Sequence, residues 1–278
     1  MKHIPVMLGQ VLEALGDIKG KTIVDATFGA GGYSEAFLER GATVVAFDRD
    51  PTVSEVAGVR LIRAPFSEID KAGVKPDAIV FDLGVSSMQL DEPERGFSHR
   101  LDGPLDMRMS REGESAADFI NSASKDMLIK IMQRFGEEPK AKFIAEEIIL
   151  ARPLSTTGQL KAAIERGSYD PKSAQRTFQA FRIYVNDELD EIETALGKAS
   201  VMLKPGGTLA VVSFHSLEDR LVKDFMRSLT EAKGDPRLPA VDTPEFVSVV
   251  RGDAASDSEV AANPRARSAR LRAIRKIN

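Results

Sequence analysis

The sequence predicts an α/β protein, a doubly wound sheet interrupted by an inserted helical domain. Three observations support this fold class. Short apolar runs typical of buried parallel strands occur at residues 22–26, 43–48 and 78–83. Stretches with helical spacing separate them, as strand and helix alternate in such sheets. The alternation stops between residues 102 and 172, where helical spacing alone continues, and it resumes afterwards.

The first part of the chain contains four predicted strands and three predicted helices. The fourth strand, residues 59–64, has a weaker apolar pattern than the others. The predicted helices cover residues 33–40, 51–56 and 67–71, and Pro51 would occupy the first turn of the second, where proline is well tolerated.

The middle of the chain is predicted to form the helical insertion. We expect residues 1–103 and 174–278 to form the core and 104–173 a substrate-recognition domain. The segment Ser155-Thr156-Thr157 offers N-cap residues to the last helix of the insertion. The predicted elements are helices at 116–121, 125–135, 140–151, 157–165 and 174–203, a turn at 205–207, a strand at 208–213 and a mobile linker at 252–263.

A glycine-rich loop follows the first predicted strand and begins the next helix. It runs Asp25-Ala-Thr-Phe-Gly29-Ala-Gly31-Gly32-Tyr33, and its glycines allow a ligand to approach the backbone closely. The next strand ends in Asp48, which can bind both hydroxyls of a ribose. Ser34 replaces the third glycine of a dinucleotide motif, and Asp25 can meet an ammonium group. The loop therefore favours S-adenosylmethionine over a nicotinamide dinucleotide, and a glycine turn without a ligand stays open.

Two polar segments follow later strands, at the edge where open α/β sheets bind ligands. Asp82, Ser86 and Ser87 can accept the hydrogens of an amine and stabilise the charge that grows as the nitrogen is methylated. Alternatively, the aspartate caps the next turn and the two serines are turn residues. His215 follows the strand at 208–213, where a structural and a catalytic role remain equally open. No spacing of histidines and carboxylates demands a metal, so we expect none.

The composition restricts the chemistry further. The 278 residues include no cysteine, which excludes disulfides, thiolate nucleophiles and cysteine-bound clusters. Methylation of carbon 5 of cytosine and radical chemistry on S-adenosylmethionine both normally need cysteine. No signal peptide or membrane span is visible, so we expect a cytoplasmic protein that does not contact a membrane.

A basic segment lies at the end of an otherwise acidic chain. It contains Arg265, Arg267, Arg270 and Arg272 and no acid, and we expect it to run extended from Pro264 and to bind phosphates of RNA. Two alternatives remain. The segment solubilises the terminus, or one of its arginines is buried against an acid such as Asp219.

Six motifs in order along the chain resemble the RsmH (MraW) family of bacterial 16S rRNA cytidine N(4)-methyltransferases. The second reads Asp-Leu-Gly-Val-Ser-Ser-Met-Gln-Leu-Asp-Glu-Pro-Glu-Arg-Gly. Tyr33 departs from the histidine common in the family, and Phe143 and Glu146 stand where basic residues are common. The motifs are residues 25–33, 82–96, 103–109, 177–189, 213–223 and 263–268.

The resemblance implies a class I methyltransferase core that methylates a cytidine in the decoding region of 16S rRNA, with the RNA or the small ribosomal subunit as its partner. The catalytic role of Asp82, with Ser86 and His215, is our own addition. A non-catalytic ribosome-assembly factor with S-adenosylmethionine as a structural ligand, and a nicotinamide dehydrogenase, are the alternatives. The cofactor contacts that the family implies are Gly31, Gly32, Tyr33, Asp48, Phe66, Asp82 and Gln89.

Overall fold

The computed structural model describes residues 5–232 and 243–277, which divide into two compact units. One unit joins the chain up to Gly84 to the chain from Leu189 onward, and the other is Val85–Glu188. The inserted unit thus covers more residues at both ends than the predicted range 104–173. None of the helices in the described ranges combines the length and apolar composition that a membrane crossing needs.

The first unit is built on a seven-stranded sheet in the order β3-β2-β1-β4-β5-β7-β6. The first five strands are parallel and agree with the predicted strands to within one residue at each end. Each of these strands pairs with its neighbours in that order, and most of their residues are buried, as expected for a sheet covered on both faces. The strands are β1 Thr22–Asp25, β2 Thr43–Asp48, β3 Val59–Arg63, β4 Ala78–Asp82, β5 Thr208–Ser213, β6 Phe246–Ala254 and β7 Arg270–Lys276.

The two last strands correct the prediction for the end of the chain. Residues 252–263, expected to be a linker, finish β6 and form helix α11 (Asp257–Ala262). Pro264 does not start an extended tail, because it occupies the first turn of a 3-10 helix, Pro264–Ser268, where its missing N–H costs nothing. The basic segment then becomes β7, which pairs antiparallel with both β5 and β6.

Helices cover both faces of the sheet, which confirms the doubly wound architecture. On one face, Val11 of α1 (Leu8–Leu15) and Phe37 of α2 (Gly32–Glu39) pack with alternate strand residues such as Val44. On the other, α9 (Glu188–Met202), α10 (Ser216–Thr230) and the 3-10 helix Phe66–Ala72 cover the remaining strand residues.

The predicted helix at 51–56 is absent. The carbonyl oxygens of Pro51 and Val53 accept hydrogen bonds from the Arg63 guanidinium, at 3.0 and 3.4 Å, instead of from amides one helical turn later. Only Val53 is fully buried in this segment, so too little apolar surface is available to hold a helix against the sheet.

The inserted unit is helical, as predicted, and has its own apolar core. Thr156 caps one of its helices with a reciprocal bond to Gln159, as the sequence indicated. The predicted helix at 174–203 is two helices, because Asp187 takes a left-handed conformation (φ 50°) and Asn186 bonds to Met107 and Met109. The helices of the unit are α3 Ser87–Asp91, α4 Ala116–Ser122, α5 Lys125–Gly136, α6 Ala141–Ala151, α7 Thr157–Gly167 and α8 Ser173–Val185.

Candidate active site

The parallel strands place their carboxyl ends at one edge of the sheet. Asp25, Asp48 and Asp82 are the last residues of β1, β2 and β4, and Ser213 is the last of β5. The segments that carry the predicted catalytic and cofactor-binding residues of the first unit all begin at this edge, where open α/β sheets bind their ligands.

The glycine loop has the backbone conformation that its sequence predicts. Gly31 has φ 80°, in the left-handed region, and directly precedes Gly32, the first residue of α2. A Cβ atom on Gly31 would come within 2.8 Å of Val56 Cγ2 and 3.0 Å of Phe28 Cζ. Glycine is therefore required at this position for both conformation and space.

Asp25 is a fully buried carboxylate at the start of this loop. The Ser34 hydroxyl donates to its Oδ2 at 2.7 Å and the Thr27 amide to its Oδ1 at 3.2 Å. Burial raises the pKa of Asp25 to about 6, although the bond from Ser34 opposes that rise. Ser34, which the sequence presented only as a missing glycine, is thus a partner of the buried acid.

Asp82 has a side-chain oxygen that lacks a hydrogen-bond partner at this edge. Its amide donates to Thr27 Oγ1 at 2.6 Å, whereas its Oδ1 is buried without a hydrogen-bond partner among the described residues. Burial, followed by the nearby charges of Asp25 and Glu218, raises the pKa of Asp82 well above its usual value. A carboxylate with a buried, unpartnered oxygen favours a cationic ligand or a hydrogen-bond donor.

Asp48 lies beside the loop and holds it. Its Oδ2 accepts from the Gly29 amide at 2.7 Å and its Oδ1 from the Asp50 amide at 2.8 Å. Burial raises its pKa in spite of these bonds. Each carboxylate oxygen can accept a second bond, so the side chain can still bind two ribose hydroxyls. Phe66, predicted to lie near an adenine, begins the 3-10 helix after β3 and contacts the edge of Phe81 at 5.8 Å between ring centres.

The Tyr33 side chain has another partner. Its ring is buried against Phe37 and its hydroxyl donates to the carbonyl oxygen of Val6. The next amide, that of Met7, donates to a carboxylate oxygen of Glu259 in α11. The tyrosine therefore anchors the start of the chain to the glycine loop, which leaves its backbone as the part available to a ligand.

His215 is the N-cap residue of α10. Its Nδ1 accepts from the Glu218 amide at 3.4 Å, and the Glu218 carboxylate accepts from the amides of Phe214 at 2.8 Å and His215 at 3.3 Å. The ring Nε2 lies 3.0 Å from the other carboxylate oxygen of Glu218, which is fully buried. The structure therefore gives His215 a capping role, and its catalytic role stays a prediction.

Ser86 and Gln89 form a second capping box, at the start of α3 in the inserted unit. The Ser86 hydroxyl accepts from the Gln89 amide at 3.2 Å, and the Gln89 side chain accepts from the Ser86 amide at 3.2 Å. The sequence left open a turn role for Ser86 and a capping role for Asp82, whereas the structure makes Ser86 the cap. Its predicted catalytic role, like the cofactor contact of Gln89, stays a prediction.

The predicted RNA-binding arginines have two different environments. Arg265 and Arg267 are exposed on the 3-10 helix, and Arg270 begins β7 opposite Ser213 at the carboxyl edge. Arg272 instead forms a double hydrogen bond with Asp219 at 2.8 and 2.9 Å. For Arg272 the structure thus shows the buried-partner alternative, since its guanidinium is already paired inside the fold.

A family model described as the MraW methylase family matches residues 1–277. The chain belongs to this family. The resemblance drawn from the six motifs is therefore confirmed, as is the prediction of an enzyme that transfers a methyl group from S-adenosylmethionine. Membership disfavours both the dehydrogenase and the non-catalytic assembly factor.

Curated relatives of this MraW family chain share its whole length. The chain is 50% identical over 293 residues to the ribosomal RNA small subunit methyltransferase H of Mesorhizobium japonicum, covering 98% of this chain and 87% of the relative. The protein of the same description from Rhizorhabdus wittichii is 45% identical, with 99% and 93% covered. That of Roseobacter denitrificans is 49% identical, with 97% and 88% covered.

Proposed function

We propose that this enzyme transfers a methyl group from S-adenosylmethionine to the exocyclic N(4) amine of a cytidine in the decoding region of 16S rRNA. The observation that carries the proposal is Asp82, a half-buried residue whose carboxylate Oδ1 is buried without a partner in the described structure, at the carboxyl edge of the sheet in a methylase family chain. The relatives described as small subunit ribosomal RNA methyltransferases support this substrate.

The residues at the edge fit this cofactor. Asp25 is fully buried and the Oδ1 of Asp82 is buried, and this burial raises the pKa of both carboxyls. The cofactor carries an ammonium and a sulfonium, whose positive charge can stabilise the ionised carboxylates. Gly31, Gly32 and Asp82 would border its methionine part, Asp48 would hold the ribose and Phe66 would face the adenine. When bound, S-adenosylmethionine supplies an electrophilic methyl group that needs no further activation.

Asp82 is proposed to act on the amine itself. The lone pair of a cytosine amine is delocalised into the ring, and an acceptor that binds its hydrogens favours the pyramidal nitrogen needed for attack. Positive charge nearby lowers the raised pKa of Asp82, so its Oδ1 becomes a carboxylate oxygen that accepts an N–H and afterwards the proton. The absence of cysteine supports the amine as target over carbon 5.

The substrate is proposed to be held by its backbone outside this pocket. Arg265, Arg267 and Arg270 are candidates for phosphate contacts, because they lie together before and at the start of β7, close to the carboxyl end of β5. The 16S rRNA, alone or within the small subunit, is then the partner. Since the substrate is ribosomal RNA, we place the reaction in the cytoplasm.

Mapping of methylated cytidines tests the proposal. Small-subunit RNA from cells that lack the enzyme is incubated with S-adenosylmethionine and either the parent protein or Asp82→Asn. We expect one cytidine to gain an N(4)-methyl group with the parent protein and far less with the variant. Methylation at carbon 5, or none with the correctly folded parent protein on RNA and on subunits alike, contradicts the proposal.

A further inference from the structure

Two aromatic side chains of the inserted unit are exposed. Tyr169, in the loop after α7, is 99% exposed, and Phe143 of α6 is 54% exposed. The backbone of Gly167 lies against that of Phe143 and Ile144, since an added Cβ at Gly167 would lie 2.7 Å from Ile144 Cα and 3.0 Å from the carbonyl carbon of Phe143. Tyr169 follows this close contact by two residues. We call Phe143 and Tyr169 the aromatic pair.

The loop that carries Tyr169 is held by its own hydrogen bonds. The Ser168 hydroxyl accepts from the Ser173 hydroxyl at 2.8 Å and from the Asp170 amide at 3.2 Å. Asp170 accepts from the Lys172 amide at 2.9 Å and pairs with Arg176 at 2.8 Å. The backbone of Tyr169 is therefore fixed on both sides, which reduces the entropy lost when a ligand binds its ring.

The charges around the aromatic pair favour an anionic partner. Within the described residues, Lys140, Lys142 and Lys172 have no carboxylate within 4 Å, and the Lys140 ammonium lies 5.8 Å from the Phe143 ring centre. Three acids of this surface are held in ion pairs, Glu146 with Lys125, Glu147 with Arg166 and Asp170 with Arg176. Arg176 also binds Glu138, whose side chain is fully buried.

We infer that the aromatic pair is a stacking site for unpaired bases of the small-subunit RNA. This inference rests on the proposed function. Exposed rings stack on the faces of any base, and neighbouring lysines meet the phosphates between bases. Phe143 stands at a position where basic residues are common in the family that the sequence resembles. Stacking by Phe143 would supply the binding energy that a basic side chain would supply in those proteins.

Affinity for an unpaired RNA tests this stacking site. Phe143→Ala and Tyr169→Ala are compared with the parent protein by fluorescence anisotropy, using a labelled single-stranded fragment of the 16S rRNA. We expect each variant to bind about 5- to 150-fold more weakly, the loss that follows from removing one stacked base. The KM for RNA should rise with the dissociation constant, while kcat at saturating RNA and affinity for the cofactor stay unchanged.

Two matched controls isolate the contribution of the aromatic face. Tyr169→Phe keeps the ring and should bind RNA within about twofold of the parent protein. Leu150→Ala removes an apolar side chain on the same helix as Phe143, 78% exposed, which has no aromatic face, and should change nothing. Both alanine variants of the pair should keep the parental melting temperature, since their side chains are exposed.

Three results would overturn the inference. They are unchanged RNA affinity in the two alanine variants, an equal loss in Leu150→Ala, and a parental protein that is a dimer by light scattering while Tyr169→Ala is a monomer. The last result assigns the pair to a second copy of the chain. If RNA binding depends on the pair but the parent protein methylates no cytidine, the stacking site stands and the proposed function fails.

Discussion

At the scale of single residues, the sequence located the acids of the site but not their state. Asp25, Asp48 and Asp82 were recognisable because each ends a predicted strand. Their environment depends on Thr27, Ser34 and Glu218, which reach them through folding and not through any spacing in the chain. The unpartnered oxygen of Asp82 is visible only in three dimensions.

Asp82→Asn should lower turnover strongly and leave the protein folded. The amide keeps the shape of the side chain but loses the charge that stabilises the amine during attack, a type of interaction worth about 3 kcal/mol elsewhere, or roughly a hundredfold in kcat. Single-turnover methyl transfer at saturating cofactor measures this loss. Full turnover with only weaker cofactor binding would make Asp82 a binding residue instead.

Asp25→Asn should flatten the dependence of stability on pH. The folded protein holds the proton of Asp25 up to a pKa of about 6, against 3.8 for the ordinary side chain. The unfolded chain therefore releases that proton first, and stability contributed by Asp25 falls as pH rises from about 4 to about 6. The loss is about 3 kcal/mol at neutral pH.

Melting temperatures of the parent protein and Asp25→Asn, measured from pH 4 to 8 without cofactor, test the expected difference. The melting temperature of the variant should rise relative to that of the parent protein as pH increases from about 4 to about 6. The difference should then stay constant at higher pH. A constant difference at every pH would show that Asp25 does not hold the proton.

At the scale of elements, one helix cap was predicted from the sequence. Thr156 caps α7, within the segment that the sequence indicated, and Ser86 and Ser115, which were not predicted as caps, cap α3 and α4 with the same reciprocal pattern. His215 was not foreseen as a cap, because histidine is not among the usual capping residues. Its capping role follows from the reciprocal hydrogen bonds between His215 and Glu218 in the structure.

A pair of substitutions at His215 separates capping from catalysis. Asparagine is a good N-cap residue, so His215→Asn should be about 1 kcal/mol more stable than His215→Ala. Urea unfolding of both variants measures the difference. If the imidazole only caps α10, turnover in His215→Asn stays within a few-fold of the parent protein, whereas the predicted catalytic role requires an equally large loss of turnover in both variants.

At the scale of the whole molecule, five strands of the sheet were predicted and two were missed. The signal for β7 was present in its first half, since Arg270 and Arg272 alternate with buried Leu271 and Ala273. The positive charge of this segment is equally typical of an extended phosphate-binding tail, which was the interpretation favoured from the sequence. β6 carries little apolar surface of its own, with most residues exposed, so its pairing with β7 could not be predicted from the pattern alone.

Arg272→Ala and Arg267→Ala should therefore affect different properties, the first the stability of the fold and the second the binding of RNA. Arg272 is paired with Asp219 and only 14% of its side chain is exposed, so its loss should lower the free energy of unfolding by about 1–3 kcal/mol. Arg267 is exposed, and its loss should leave stability unchanged while reducing the salt dependence of RNA binding by about one unit of slope.

Urea unfolding and RNA titrations at several salt concentrations make the comparison. A parental salt slope in Arg267→Ala would remove this arginine from the RNA contact. A parental unfolding curve in Arg272→Ala would show that the pair with Asp219 contributes nothing to the fold.

The direction of β7 also decides how the enzyme can be tethered. Because β7 runs antiparallel to β5, it starts at Arg270 beside Ser213 and finishes with Arg275 beside Thr208, at the edge of the sheet opposite Asp82. A dye, affinity tag or surface linker attached after Lys276 therefore leaves from the far side of the sheet. Immobilisation through this end keeps the attachment away from the carboxyl edge, whereas a linker inserted near Arg265 would lie close to it.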